Sequence, residues 1–263
     1  MSLFELIATA WLALALVFTG VWWVQLRTGN AGVVDAVWAW TLGLLGPWLA
    51  WHSTAEPLVR VMIAVMPLVW GLRLGCFLWA RNHGKPEDGR YAQLRAEWGE
   101  QADYRMWRFF QIQVVFSMVI ALGLLVASRR EAPLPAALIL LSALIWVVSI
   151  LGEALADAQL TAFKQNPAHK GRVCRQGFWG WSRHPNYFFE CLHWAAYVPL
   201  AWGADGFWLA LLPPAVMAFL LLAVWWIHHL RRRYRERQSQ VTDTTHRHPS
   251  GDVARHPPDE ATN

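Results

Sequence analysis

Apolar runs occupy most of this 263-residue chain, and short polar segments separate them. The runs have the length of membrane-crossing helices, about 17–25 residues. A lipid bilayer offers the backbone no hydrogen-bonding partner, so a run of this kind must form a helix. We therefore predict an all-α integral membrane protein with seven transmembrane helices, over residues 3–26, 33–52, 57–80, 109–127, 134–156, 186–202 and 207–229. Residues 1–237 are predicted to form one membrane domain, and 238–263 a disordered polar tail with too little apolar material to pack.

Composition and charge agree with this fold class and give it an orientation. Only 16% of the residues are charged, against about 25% in soluble domains. If the N-terminus lies outside, 19 of the 23 Lys and Arg residues fall in cytoplasmic segments. The positive-inside rule then predicts an outside N-terminus and a cytoplasmic C-terminus. The net charge of +5 follows from these basic loops, so neither nucleic acid nor an obligate protein partner is indicated.

A small set of ionisable residues interrupts the apolar pattern, and all of its members fall in the predicted cytoplasmic half. They are Asp35, Arg73, Glu153, Asp157 and Glu190. Such groups are costly in lipid and normally face the bundle interior or a wet cavity, paired with partners. We predict a polar cavity open to the cytoplasm. The structural alternatives are that Asp35 only caps its helix and that Arg73 only neutralises Glu153 or Asp157.

Residues 171–190 read G-R-V-C-R-Q-G-F-W-G-W-S-R-H-P-N-Y-F-F-E and carry the strongest functional signal. Arg172, Arg183 and His184 precede a helix that is predicted to begin at Pro185. Cations beside a helix N-terminus favour a phosphate-bearing ligand. Glu190 follows within that helix, where an acid is expensive unless it has a function. The stretch predicts a membrane enzyme that takes a soluble anionic cofactor from one side and an apolar substrate from the lipid; simple juxtamembrane charges are the alternative.

Further motifs accompany this stretch: V-D-A-V-W at residues 34–38, W-G-L-R-L-G at 70–75, A-R-N-H-G-K-P-E-D-G-R-Y at 80–91 and G-E-A-L-A-D-A-Q-L at 152–160. Together they resemble the steroid 5α-reductase family, in its bacterial DUF1295 branch. The resemblance implies an NADPH-dependent oxidoreductase that reduces the C=C bond of an α,β-unsaturated ketone, a 3-oxo-Δ4 steroid or a similar lipid. It also implies a bacterial inner membrane, with the cofactor site facing the cytoplasm. R-H-P-N-Y is shared with isoprenylcysteine carboxyl methyltransferases, so an S-adenosylmethionine-dependent membrane methyltransferase is the alternative.

The resemblance also implies roles for particular residues. Glu190 would lie near the reacting end of NADPH, and Asp35 would hold the substrate carbonyl; the family's third-helix tyrosine has no counterpart here, and Trp70 lies nearest to its position. No G-x-G-x-x-G motif follows a strand, so helices and loops would hold the cofactor. No metal site is predicted, and the tail histidines are expected to be solvated. The residues expected to bind NADPH are Asn82, Lys85, Glu153, Asp157, Lys164, Arg172, Arg183, His184, Asn186, Tyr187, His229 and Tyr234.

Overall fold

The structure is a computed structural model that describes residues 1–222, and within that range its regular secondary structure is helical, without a strand. The main helices are α1 (Leu3–Thr28), α2 (Val33–Trp51), α3 (Pro57–Asn82), α4 (Gly89–Trp98), α5 (Ala102–Ile120), α6 (Leu122–Ser128), α7 (Ala136–Gln165), α8 (Pro185–Ala195) and α9 (Tyr197–Ala201). Among the described residues, five helical segments are long and apolar enough to cross a membrane: α1, α2, α3, α7 and the continuous stretch Gly89–Ser128. The predicted all-α, multi-pass architecture is confirmed at this level.

The outward faces of the long helices are apolar, as a lipid environment requires. On α7, Leu140, Leu144 and Leu151 are exposed, and their spacing places them on one side of the helix. On α1, Leu12 and Leu16 are exposed in the same way. An exposed apolar surface of this extent on two helices is typical of contact with lipid rather than with water.

The structure divides the sixth predicted span and describes only part of the seventh. Residues 186–202 form two helices, α8 and α9, rather than one. Of the predicted span 207–229, the structure describes an apolar helix over Phe207–Leu222, up to the last described residue. The predicted domain boundary at residue 237 and the polar tail lie outside the described residues.

Proline explains the break between α8 and α9. Pro199 has no amide hydrogen, and its ring clashes with the carbonyl four residues earlier, at Ala195. Ala195 is the last residue of α8. The neighbouring carbonyl of Ala196 accepts a hydrogen bond of 2.7 Å from the Ser142 hydroxyl on α7. A side chain of α7 therefore satisfies a backbone group near the break, which makes an interrupted helix tolerable inside a bundle.

Small residues bring α2 and α3 into close contact. Gly71 and Gly75 on α3 form a G-x-x-x-G pattern, the spacing that lets two membrane helices approach closely. A Cβ added at Gly71 would lie 2.6 Å from the Ala39 carbonyl oxygen and 2.8 Å from Gly43 Cα, both on α2. A Cβ at Gly75 would meet the Trp40 ring. Backbone packing thus fixes the position of α3, which carries Trp70 and Arg73.

We expect Gly71→Ala to destabilise the protein by about 1–3 kcal/mol, because the added methyl group must push two helix backbones apart. The matched control is Gly20→Ala on α1, where an added Cβ meets nothing within 4 Å. That change should be neutral or slightly stabilising, since alanine favours a helix over glycine. Thermal unfolding of the detergent-solubilised variants measures the difference, and equal effects at the two positions would contradict this account of the α2–α3 contact.

Helix directions bring several segment ends together. The Trp146 indole on α7 donates to the Met66 carbonyl on α3, and further along both helices Arg73 of α3 donates to Asp157 of α7. Because the residue numbers rise together in the two contacts, α3 and α7 run parallel. The Phe189 ring of α8 lies against Gly152 of α7, whereas the Ala196 carbonyl after α8 accepts a hydrogen bond from Ser142, earlier on α7. The two helices are therefore antiparallel. One end of the bundle, here called the basic end, therefore holds residues 28–32, 82–88 and 165–185. The opposite end gathers residues 52–56 and 128–135, joined by the Thr54 amide and the Ser128 carbonyl at 3.0 Å.

Candidate functional site

A buried ion-pair cluster joins α3 to α7. Arg73 Nη1 donates to Asp157 Oδ2 at 3.2 Å, and Arg73 Nη2 forms an ion pair with Glu153 Oε1. Glu153 and Asp157 are four residues apart on α7, so they share the face that meets α3. Both acids are buried, with exposed fractions of 3% and 9%. One guanidinium therefore serves two carboxyl groups inside the bundle, as the structural alternative for Arg73 anticipated.

Glu190 extends this cluster into the interior. Its two oxygens accept indole N–H groups from Trp70 at 3.0 Å and from Trp194 at 3.1 Å. The Glu190 and Glu153 carboxyl groups are close enough to interact electrostatically. Four ionisable groups thus form a row from the basic end inward, here called the acid row: Asp157, Arg73, Glu153 and Glu190. The structure brings together three of the predicted site residues: Arg73 pairs with Glu153 and Asp157, and Glu190 lies beside Glu153.

An aromatic and polar stripe on α8 and α9 lies beside Glu190. His193 is fully buried, its ring stacks on Trp70 with centroids 5.1 Å apart, and its Nε2 lies 3.1 Å from the Tyr197 hydroxyl. Sequence reasoning missed this stripe. The signal was the spacing of Glu190, His193, Trp194 and Tyr197, which follow the i, i+3, i+4, i+7 pattern of one helix face.

Asp35 belongs to a different network. Its carboxylate accepts the Tyr91 hydroxyl at 2.6 Å and the Arg90 guanidinium at 2.8 Å. An acid–tyrosine pair is therefore present, but its tyrosine comes from α4 rather than from the third helix. Trp38, one turn along α2, contacts the Trp70 ring edge to face at 5.9 Å. The two predicted catalytic acids are thus linked through indole rings and are not in direct contact.

The segment that joins α3 to α4 is held against the turn between α1 and α2. Asn82 Nδ2 donates to the Gly32 carbonyl at 3.1 Å, and Asn30 donates to the Lys85 carbonyl at 3.2 Å. Glu87 accepts the Ala31 amide at 2.9 Å. The Asn82 amide is thereby engaged in the fold, whereas the Lys85 side chain is exposed at the basic end.

The last turn of α7 and the segment between α7 and α8 carry other predicted cations. The Phe178 amide donates to Gln159 at 3.0 Å, and the Trp179 indole donates to the Ala156 carbonyl at 2.8 Å, so the segment is anchored on α7. Lys164, Arg172 and Arg183 are exposed. Within residues 1–222 none of these three forms an ion pair, which leaves their charges available to an anion.

The start of α8 combines an imidazole with a buried amide. Partial burial and the neighbouring Arg183 lower the pKa of His184, which favours the uncharged form of its ring. That ring stacks on Tyr187 with centroids 4.7 Å apart. Asn186 Oδ1 is buried and has no hydrogen-bond partner among the described residues. Because a buried polar atom without a partner is costly, it marks a place where a ligand or water group belongs.

The predicted residues His229 and Tyr234 lie outside the described residues. The three cysteines, Cys76, Cys174 and Cys191, are free thiols.

A family model described as "Protein of unknown function (DUF1295)" matches residues 21–245, and the chain belongs to that family. No curated protein and no solved structure matches the chain. The family membership agrees with the branch that the sequence motifs indicated, and the activity has to be argued from the site.

Proposed function

We propose that this protein is an NADPH-dependent membrane reductase that acts on the C=C bond of an α,β-unsaturated ketone, a 3-oxo-Δ4 steroid or a similar lipid. The acid row is the observation that carries the proposal. It puts ionisable groups in the middle of a bundle whose outer faces are apolar, where their presence calls for a function. The resemblance of the motifs around these residues to steroid 5α-reductases supports the same chemistry.

The proposal includes seven transmembrane spans in a bacterial inner membrane, with the N-terminus outside and the C-terminus cytoplasmic. The basic end would then face the cytoplasm, where NADPH is available. The apolar outer faces of α1 and α7 would lie in lipid, from which the substrate would enter. A water-soluble cofactor and a lipid-soluble substrate could thus approach the acid row from different directions.

The residues at the basic end fit NADPH. Lys164, Arg172 and Arg183 carry uncompensated charges that suit its phosphate groups. Asn186 Oδ1 is a buried acceptor without a partner among the described residues, and it suits an amide or hydroxyl donor of the cofactor. When bound, NADPH supplies a hydride to the β-carbon of the conjugated bond.

Reduction of the C=C bond also requires a proton at the α-carbon. Glu190 is the innermost member of the acid row, and we assign the final proton delivery to its carboxyl group. Glu153 and Asp157 lie between Glu190 and the basic end, Asp157 being four residues nearer the end of α7. A proton given up by Glu190 can therefore be replaced from the aqueous side through these acids, with Arg73 holding them in place.

A direct test uses the full-length protein in lipid nanodiscs, with NADPH and cholest-4-en-3-one. We expect saturable NADPH binding and a saturated ketone as the product. Tight binding of S-adenosylmethionine without binding of NADPH would overturn the proposal and favour the methyltransferase. Reduction with NADPH of a conjugated lipid ketone other than the steroid would retain the reaction and change the substrate.

Arg172→Gln should raise the KM for NADPH by about 10- to 100-fold, because a charge-assisted hydrogen bond to phosphate contributes about 1.5–3 kcal/mol. The kcat should change little, since the contact is far from the reacting carbon. Arg129→Gln, at the opposite end of the bundle, is the control and should leave both constants unchanged. An unchanged KM in Arg172→Gln would remove this arginine from the cofactor site.

A further inference from the structure

The His193 imidazole has a buried nitrogen without a hydrogen-bond partner among the described residues. The residue is fully buried, and the nitrogen without a partner is Nδ1. Its other nitrogen lies 3.1 Å from the Tyr197 hydroxyl. Around it stand Trp70, stacked on the imidazole, and Trp194, edge to face at 4.9 Å. A polar atom in such an apolar setting is costly unless something bonds to it.

The donor and acceptor nitrogens of the imidazole indicate which kind of group would bind to His193 Nδ1. A neutral imidazole has one N–H donor and one acceptor nitrogen. If the Tyr197 hydroxyl donates to Nε2, the proton of the ring must be on Nδ1, and the Nδ1–H group then needs an acceptor. A ketone oxygen on an otherwise apolar molecule supplies that acceptor without adding a charge, and the indole rings suit the rest of such a molecule.

Asp35 and Tyr91 are less suited than His193 to bind a ketone oxygen. The Tyr91 hydroxyl already donates to Asp35, and the second oxygen of Asp35 accepts from Arg90. None of these oxygens is left without a partner. His193, in contrast, lies one turn from Glu190 on the same face of α8, and Trp70 contacts both residues.

We propose that His193 Nδ1–H donates a hydrogen bond to the carbonyl oxygen of the substrate, and that Tyr197 fixes the proton on that nitrogen. This assignment rests on the proposed enone reduction. Negative charge develops on the carbonyl oxygen as a hydride reaches the β-carbon, and a fixed donor at that oxygen stabilises it. The substrate oxygen is then held beside Glu190, the proposed proton donor. The interruption of the helix after Ala195 lies next to this site.

The test measures binding without turnover. Full-length protein in nanodiscs, loaded with NADP⁺, is titrated with cholest-4-en-3-one and with the matching hydrocarbon cholest-4-ene. We expect the ketone to bind about tenfold more tightly, and its C=O stretching band to move to lower wavenumber. His193→Gln, whose amide reaches the Nε2 position, should lose both effects. His193→Asn, whose amide reaches the Nδ1 position, should retain the band shift.

Tyr197→Phe keeps the ring volume and provides a second variant in case His193→Gln does not fold. It should weaken the ketone preference several-fold, because the proton of the imidazole is no longer fixed on Nδ1. Tyr104→Phe makes the same change at an exposed tyrosine and should leave the preference unchanged. A wild-type protein without the band shift, or a shift that survives in both His193→Gln and Tyr197→Phe, would overturn the assignment and leave a bound water as the partner of Nδ1.

Failure of the assignment and failure of the proposed function give different results. A shifted ketone band in a protein that forms no product with NADPH would refute the reductase and retain the ketone site. Product formation together with an unshifted band would retain the reductase and refute the role of His193.

Discussion

Glu190→Gln is expected to reduce kcat by about 10²–10⁴-fold, the usual contribution of a positioned acid or base. The amide cannot deliver a proton in place of the carboxyl group. It also replaces one of two oxygens that accept indole N–H groups, so an N–H of Trp70 or Trp194 would then face another donor. We therefore expect an additional loss of stability of about 1–3 kcal/mol. Single-turnover reduction and thermal unfolding measure the two effects separately.

Two control variants separate the chemistry of Glu190 from its structural role. Trp194→Phe removes one of the indole donors and keeps the carboxyl group and an aromatic ring, so it should lose stability with a much smaller loss of activity than Glu190→Gln. Glu190→Asp keeps an acid one methylene group shorter and should retain measurable turnover. A Glu190→Gln variant that turns over at the wild-type rate would remove this residue from the mechanism.

Arg73→Met is expected to destabilise the protein by about 3–5 kcal/mol, the typical cost of breaking a buried ion pair on one side. Arg73 is the cation that contacts both Glu153 and Asp157, whose side chains are only 4% and 11% exposed. Without it, two acids would share a buried site with no positive partner. The loss should appear as a lower unfolding temperature in detergent and as a loss of activity.

The charge argument for Arg73 can be tested by compensation. The triple variant Arg73→Met, Glu153→Gln, Asp157→Asn removes all three charges and should recover much of the stability without recovering activity. Arg60→Met is the matched control, because Arg60 is exposed and its guanidinium, within residues 1–222, donates a hydrogen bond only to the Ala55 carbonyl, at 3.2 Å. It should change stability by less than about 0.5 kcal/mol. Equal losses in the Arg60 and Arg73 variants would contradict the buried ion-pair account.

The sequence was sufficient for the parts of this protein that depend on local pattern. Long apolar runs required helices because lipid leaves the backbone no other partner. The spacing of Glu153 and Asp157 placed them on one face, and Arg73 was recognised as their possible partner. The break after Ala195 could also have been predicted, because Pro199 follows four residues later. The apolar run 186–202 was nevertheless interpreted as one span.

Contacts between distant segments could not be read in the same way. Asp35 and Tyr91 are 56 residues apart, and Trp70 and Glu190 are 120 residues apart, so only the packed bundle brings them together. The burial of His193 and the unused state of its Nδ1 likewise depend on which helices surround it. Sequence spacing placed His193 and Tyr197 on one face, but it gave no reason to select them.

The central claim is that a hydride passes from NADPH to a conjugated lipid ketone at the inner end of the acid row. NADPH deuterated at C4 of the nicotinamide, used separately as its two stereoisomers, tests this claim most directly. With cholest-4-en-3-one and the full-length protein, we expect one of the two stereoisomers to give a saturated ketone with one deuterium at the former β-carbon, detected by mass spectrometry and NMR. A reduced product without deuterium from either stereoisomer, or no reduced product from this steroid or from any other conjugated lipid ketone, would contradict the claim.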